Sequence, residues 1–276
     1  NNISIKTSIF FKNVHILPRD VLVALERVVA DLQEVGRDIK PESLRDAARY
    51  YIEKPGKMLR PILLLTFSYS LDRRSLMDPR VLQAATIVEL LHIVSLLQDD
   101  VMDKHDERRG AKTPRVIYGD ERTVLASDWL IAESIKRAVK LGEEVVEYLA
   151  DVAQRLSMGQ ALDLEGEREK AAELKTAPLI EATLVLPALL LKRRDVLELA
   201  KRLGASLGVL YQYSDDLSDE GERRDKTAEV TAEVKNVLAK MREVIGEAFT
   251  PFENLVNEIL KRALQASLTV ARSFIP

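Results

Sequence analysis

Glu89-Leu90-Leu91-His92-Ile93-Val94-Ser95-Leu96-Leu97-Gln98-Asp99-Asp100-Val101-Met102-Asp103 is the stretch that decides how the rest of the chain is read. Leu90, Leu91, Ile93, Val94, Leu96 and Leu97 give it the apolar density of a helix inside a core. Its last five positions then carry three carboxylates. In a helix, residues four apart stack one above the other, so Asp99 and Asp103 share a face and Asp100 lies about 100° round. Such clustering destabilises a bare helix by like-charge repulsion. Charge beside apolar side chains is also costly unless it is neutralised. The pattern returns at Asp215-Asp216-Leu217-Ser218-Asp219, again after a greasy run of Leu207, Val209, Leu210, Tyr211 and Tyr213. One acidic triplet is usually a solvated helix face. Two copies, each ending a core-type helix, point to a missing counter-charge. Carboxylates with neither His nor Cys suit Mg²⁺, which takes one or two carboxylates, water and substrate phosphate. The expectation is a diphosphate held through Mg²⁺ between two walls of a helical cavity.

The composition narrows the alternatives. Lys plus Arg (41) nearly balances Asp plus Glu (44) across 276 residues, so there is no basic excess for nucleic acid. The absence of Cys excludes disulfides and thiolate metal sites. Only His15, His92 and His105 are available, too few for a His-rich zinc site. The apolar stretch Leu184 to Leu191 is short for a bilayer and carries Pro187. No transmembrane segment and a cytoplasmic location are therefore expected.

Helical periodicity dominates, and no run of strand-like alternation stands out. Asp20 to Val35 reads as a helix stopped by Gly36, and Pro41 opens another. Gly56 to Pro61 reads as a turn feeding Ile62 to Phe67, and Asp78-Pro79 opens the long helix that ends in the first acidic cluster. Arg108 to Thr113 reads as a basic loop. Further helices are expected over Glu121 to Val139 and Glu143 to Leu164, and from Pro178 with a kink near Pro187. Asp195 is read as the cap of the helix reaching the second cluster. Ala228 to Phe249 and Phe252 to Phe274 close the chain. No linker divides it, so a single all-α domain over residues 1–276 is expected.

Basic groups gather where a phosphate would need them. Lys57 and Arg60 flank one turn, and Arg108-Arg109-Gly110 follows the first acids. Arg offers a planar fork to phosphate oxygens and Lys a compact charge. His92 sits two helical turns before Asp99, on nearly the same face. The order Gly56-Lys57-Met58-Leu59-Arg60-Pro61, then Glu89 to Gly110, Gly159-Gln160-x-x-Asp163, Lys175-Thr176 and Tyr211-Gln212-x-x-Asp215-Asp216-x-x-Asp219 resembles the trans-isoprenyl diphosphate synthases. These are the farnesyl and geranylgeranyl diphosphate synthase family, here of archaeal short-chain type. The resemblance covers roughly Ile52 to Lys226.

That resemblance implies an isoprenoid-synthase-type helical bundle around a central cavity, usually a homodimer, joining isopentenyl diphosphate to an allylic prenyl diphosphate. It implies that Asp99, Asp100 and Asp103, facing Asp215, Asp216 and Asp219, hold two or three Mg²⁺ ions. Whether Mn²⁺ serves in their place stays open. Arg108 would touch the allylic diphosphate, and Lys57, Arg60, His92 and Arg109 the isopentenyl diphosphate. Lys175, Thr176 and Gln212 would line the reacting centre, with Lys226 a further diphosphate contact. In that family, bulk four and five positions before the first Asp stops the growing chain. Ser95 and Val94 stand there without an aromatic ring, which points to C20, with C25 or longer as the alternative and Leu91 as another candidate floor. Gln98 departs from a frequent His, and the segments after Asp163 and Asp219 are shorter than usual. A non-catalytic subunit of a heteromeric synthase is disfavoured because both acidic clusters are complete. A terpene cyclase is disfavoured because Lys57, Arg60 and His92 supply a second diphosphate pocket that one substrate does not need.

Overall fold

The computed structural model describes residues 16–215 and 222–272. Among these, the chain forms α1 (Arg19–Glu34), α2 (Glu42–Glu53), α3 (Leu59–Leu71), α4 (Pro79–Met102), a two-residue-per-strand hairpin β1 (Glu107–Arg108) and β2 (Ala111–Lys112), and α5 (Pro114–Tyr118). It continues with α6 (Asp120–Val139), α7 (Glu143–Leu164), α8 (Arg168–Lys175), α9 (Ala177–Leu190), α10 (Arg194–Asp215), α11 (Glu222–Ile245) and α12 (Thr250–Arg272). The all-α expectation holds.

Three helices form the centre, and their composition explains why. Every residue of α9 is buried, and α3 and α4 are apolar on most of their faces, as expected of helices packed all round rather than against one neighbour. α4 starts sharply because the Asp78 carboxylate accepts the Arg80 N–H at 2.9 Å and Pro79 occupies the first helical position. It runs between α3, α6 and α9. Among the described helices, α4 is the one long and apolar enough to cross a membrane, with mean hydropathy 1.6, but 67% of that window is buried inside the bundle. Phe67, Phe249 and Phe252 stack with centroids 5.0 and 5.6 Å apart and join α3 to the start of α12.

Among the described residues, the most extensive helix contact is between α9 and α10. Gly204 faces the Glu181 backbone and Gly208 the Ala177 backbone, and a methyl group at either glycine would overlap it. Small residues let two backbones approach in this way.

Two local expectations are corrected, and two stretches gain detail. The turn expected through Pro61 ends earlier, because α3 begins at Leu59; Pro61 is tolerated there since the first turn's N–H groups have no helical acceptor anyway. Asp195 lies inside the first turn of α10, not before it, and its carboxylate pairs with Arg193 at 2.6 Å. Pro187 sits in the last turn of α9, which continues to Leu190. The stretch from Asp163 to Lys175 is spanned mainly by α8, a short polar helix that apolar periodicity could not reveal.

Candidate active site

A cavity of about 1470 Å³ opens between α4, α6 and α7 and is bordered by the 55–58 loop, the hairpin, the start of α9 and the end of α10. Its chemistry is divided: Asp99 and Asp103 lie on one wall with Lys175 beside them, Lys57, Arg60 and Arg109 on another with Glu89 among them, and apolar side chains line the depth.

Asp99 and Asp103 line the acidic wall at the C-terminal end of α4. Burial pushes the Asp99 carboxyl above the usual range, although Lys175 opposes it. Lys175 reaches over from the end of α8, with Nζ 2.7 Å from Asp163 Oδ2 and 3.7 Å from Asp103 Oδ2. Burial draws the Lys175 ammonium down, but the Asp163 hydrogen bond together with Asp99 and Asp103 outweighs it, and its pKa ends above the ordinary value. Beside it, Thr176 Oγ1 donates to Gln212 Oε1 at 2.6 Å. The Gly208 contact sits one turn before Gln212 and brings the end of α10 to the start of α9.

Asp100 is a correction. It does not line the cavity, and its side chain is fully buried. Tyr51 Oη donates to its Oδ2 at 2.5 Å, and Arg108 Nε donates to its Oδ1 at 2.9 Å. The 100° offset that separates it from Asp99 turns it away from the acidic wall. Its place is to hold Arg108, which does line the cavity.

The cationic wall gathers Lys57, Arg60, His92 and Arg109. The Arg109 guanidinium lies directly across Gly56, and a Cβ there would make that side chain shift. Burial, then Arg60, Arg109 and Arg108, hold the His92 imidazole well below its usual pKa, so it is neutral, and its buried Nδ1 has no partner. Sequence reasoning used Glu89 only as a motif boundary. It is 4% exposed, lines this wall, and is pushed up to about 7 by burial against the pull of Arg60 and Arg109. The available signal was a carboxylate inside an apolar helical run, one turn before His92. Gln160, also lining and buried, has an unpartnered Nε2. Tyr51 carried no sequence signal, because its contact with Asp100 spans 49 positions.

Leu91, Val94 and Ser95 from α4, Ile131 from α6, and Val152 and Leu156 from α7 line the apolar depth. Gln98 also lines the cavity, with Nε2 3.4 Å from Ser127 Oγ. Lys226 does not line it. Asp216 and Asp219 lie outside the described residues, and for Asp215 only the backbone, at the end of α10, is described.

Among the described residues no three metal-ligating side chains converge. Asp99 and Asp103 alone supply hard oxygen donors one turn apart. That suits an ion completing its shell with water and phosphate, as Mg²⁺ does.

The polyprenyl synthetase family matches residues 41–233, and the chain belongs to that family. It is 31% identical over 211 residues to a short chain isoprenyl diphosphate synthase of Methanocaldococcus jannaschii, covering 68% of this chain and 62% of that protein. It is 32% identical over 209 residues to a geranylfarnesyl diphosphate synthase of Natronomonas pharaonis, covering 65% of this chain and 61% of that protein. These matches thus span somewhat under two thirds of the relatives' own length. A crystal structure of geranyltranstransferase from Thermotoga maritima superposes with a TM-score of 0.74 at 26% identity, over 89% of this chain and 99% of that one.

Proposed function

We propose that the chain is a Mg²⁺-dependent prenyl diphosphate synthase that condenses isopentenyl diphosphate head-to-tail with an allylic prenyl diphosphate, forming geranylgeranyl diphosphate and releasing diphosphate. One observation carries this reading: a single cavity has an acidic wall for a metal-bound diphosphate, a cationic wall for a second diphosphate, and an apolar depth for a growing chain. Asp99 and Asp103, with Asp215, Asp216 and Asp219 as proposed partners, would hold the divalent ions, which neutralise charge on the leaving diphosphate. Arg108, fixed by Asp100, and Lys175 meet the same developing charge. Lys57, Arg60, His92 and Arg109 hold isopentenyl diphosphate, so that its alkene faces the allylic carbon as the C1–O bond breaks. The Thr176–Gln212 pair lines the space between the two walls, where the allylic cation forms. Apolar walls keep water from that cation. The final proton leaves to the departing diphosphate. No protein nucleophile is required.

α6 leaves Leu125, Ile135 and Val139 exposed at 55%, 54% and 63%, and at about 100° per residue the three fall on one face. Such an apolar stripe favours a homodimer through that helix. A cytoplasmic location remains part of the proposal.

The first test supplies labelled isopentenyl diphosphate with dimethylallyl, geranyl or farnesyl diphosphate and Mg²⁺, then chromatographs the products. A C20 prenyl diphosphate is expected, and EDTA should reduce turnover to background. A hydrocarbon would mean a cyclase, and silence with all three primers would mean a subunit lacking its partner.

Val94 and Ser95 leave the depth open one turn beyond Asp99, which supports C20 over C15. Val94→Phe should shorten the product by at least one isoprene unit with little change in primer KM. An unchanged chain length would move the floor to Leu91 or to Ile131 and Val152.

A further inference from the structure

Glu89 is out of keeping with the other buried carboxylates among the described residues, Asp100 and Glu181. Glu181, equally enclosed on α9, is fully engaged: Arg155 meets it at 3.0 and 3.1 Å and Tyr148 Oη donates at 2.8 Å. Glu89 stands in an apolar helix at 4% exposure, faces the cavity, and leaves Oε2 without a partner. A buried carboxylate normally needs its lone pairs satisfied. Here the fields of Arg60 from α3 and Arg109 from the hairpin reach it instead.

We propose that Glu89 is the resident counter-ion of the cationic wall: it balances Arg60 and Arg109 while the cavity is empty, and it accepts a proton when a diphosphate takes those arginines. This deepens the reading of that wall as the isopentenyl diphosphate pocket and rests on it. A diphosphate brings multiple negative charges beside an enclosed carboxylate, and like charges this close do not both stay ionised. The charged groups whose fields reach Glu89 are Arg60 on α3 and Arg109 on the hairpin; Lys57 on the 55–58 loop and Arg108 on the hairpin line the same cavity, and on its own helix stands His92. His92 is neutral and surrounded by arginines, so it offers no positive charge to compensate. The proton therefore comes from solvent. Burial has already brought the Glu89 carboxyl to about 7, so that proton is within easy reach.

The sign follows from linkage. Below about pH 7 Glu89 is already protonated and binding takes up nothing; above it, binding must bring a proton and weakens as pH rises. Titration calorimetry with isopentenyl diphosphate alone, at pH 6 and pH 8 in buffers of different ionisation enthalpy, reads this directly. Comparison with Glu89→Gln cancels the ionisation of the ligand itself. The ratio of wild-type to Glu89→Gln Kd should rise about tenfold from pH 6 to pH 8, with close to one extra proton taken up by the wild type at pH 8. Equal pH dependence in the two proteins, or uptake that survives in Glu89→Gln and so belongs to His92, would overturn the proposal while leaving the pocket. Failure of both proteins to bind would overturn the pocket and the proposal together. Should the variant misfold by circular dichroism, absence of proton uptake by the wild type at pH 8 is sufficient to overturn it.

Discussion

Asp103→Asn is expected to lower kcat for prenyl transfer by roughly 10²–10³-fold without loss of fold, with part of the loss recovered at high Mg²⁺. Asn keeps the size of the side chain at the end of α4, where the Asp103 backbone N–H is held by the Asp99 carbonyl at 2.9 Å. What disappears is an anionic oxygen on the acidic wall. A hard divalent ion discriminates strongly against a neutral amide in its place. Lys175, 3.7 Å away, also loses one of the carboxylates that keep it charged. Steady-state rates against Mg²⁺ concentration measure the effect. A loss below tenfold with an unchanged Mg²⁺ requirement would mean the metal does not sit on this wall.

Asp100→Asn, three positions before Asp103, should behave differently, and the contrast tests the geometry. Asp100 meets Tyr51 and Arg108 rather than the cavity. Its removal loosens Arg108, so the allylic KM should rise while the Mg²⁺ requirement stays put. Two aspartates three positions apart would then separate cleanly into an ion-facing and an arginine-holding role.

That separation marks how far the sequence could be read. The acidic repeat, the five ordered motifs and the helix spans were legible because each depends on residues close in the chain. Glu143 to Leu164 was read to the residue, since Val145, Leu149, Val152 and Leu156 recur at helical spacing. The local periodicity also implied that Asp100 pointed away from Asp99. What periodicity could not supply was the partner waiting there, because Tyr51 lies on another helix. Glu89 escaped for the opposite reason. Inside an apolar run it resembled a tolerated exception, and only the cavity gives it neighbours. α8 was missed because its residues are mostly polar and a short polar helix has no stripe to detect. Lys226 was assigned from its place in a motif, yet its position on α11 does not bring it to the cavity lining.

Gly208→Val should both destabilise the fold and impair catalysis, because one contact serves both. A Cβ at 208 overlaps the Ala177 backbone, and no rotamer of the new side chain relieves an overlap made by Cβ itself. Replacing a helical Gly would ordinarily gain up to about 1 kcal/mol from propensity, less for a β-branched residue. Overpacking costs about 3 kcal/mol or more when backbone must move, so the overlap wins. For a chain of this size a net loss of about 2–3 kcal/mol lowers Tm by roughly 5–10 °C. Moving α10 away at this level also carries off Gln212, one turn on, from Thr176, now 2.6 Å away. kcat should therefore fall at least tenfold even at temperatures where the variant is fully folded. Gly204→Ala is the control. It meets the Glu181 backbone two turns before Gln212, so it should lower Tm while sparing most of kcat. Calorimetry and rates at 25 °C on the pair decide the matter. A Gly208→Val protein with wild-type Tm would mean α9 and α10 are not pressed together there, and equal kcat losses in both variants would detach the catalytic effect from the Thr176–Gln212 pair.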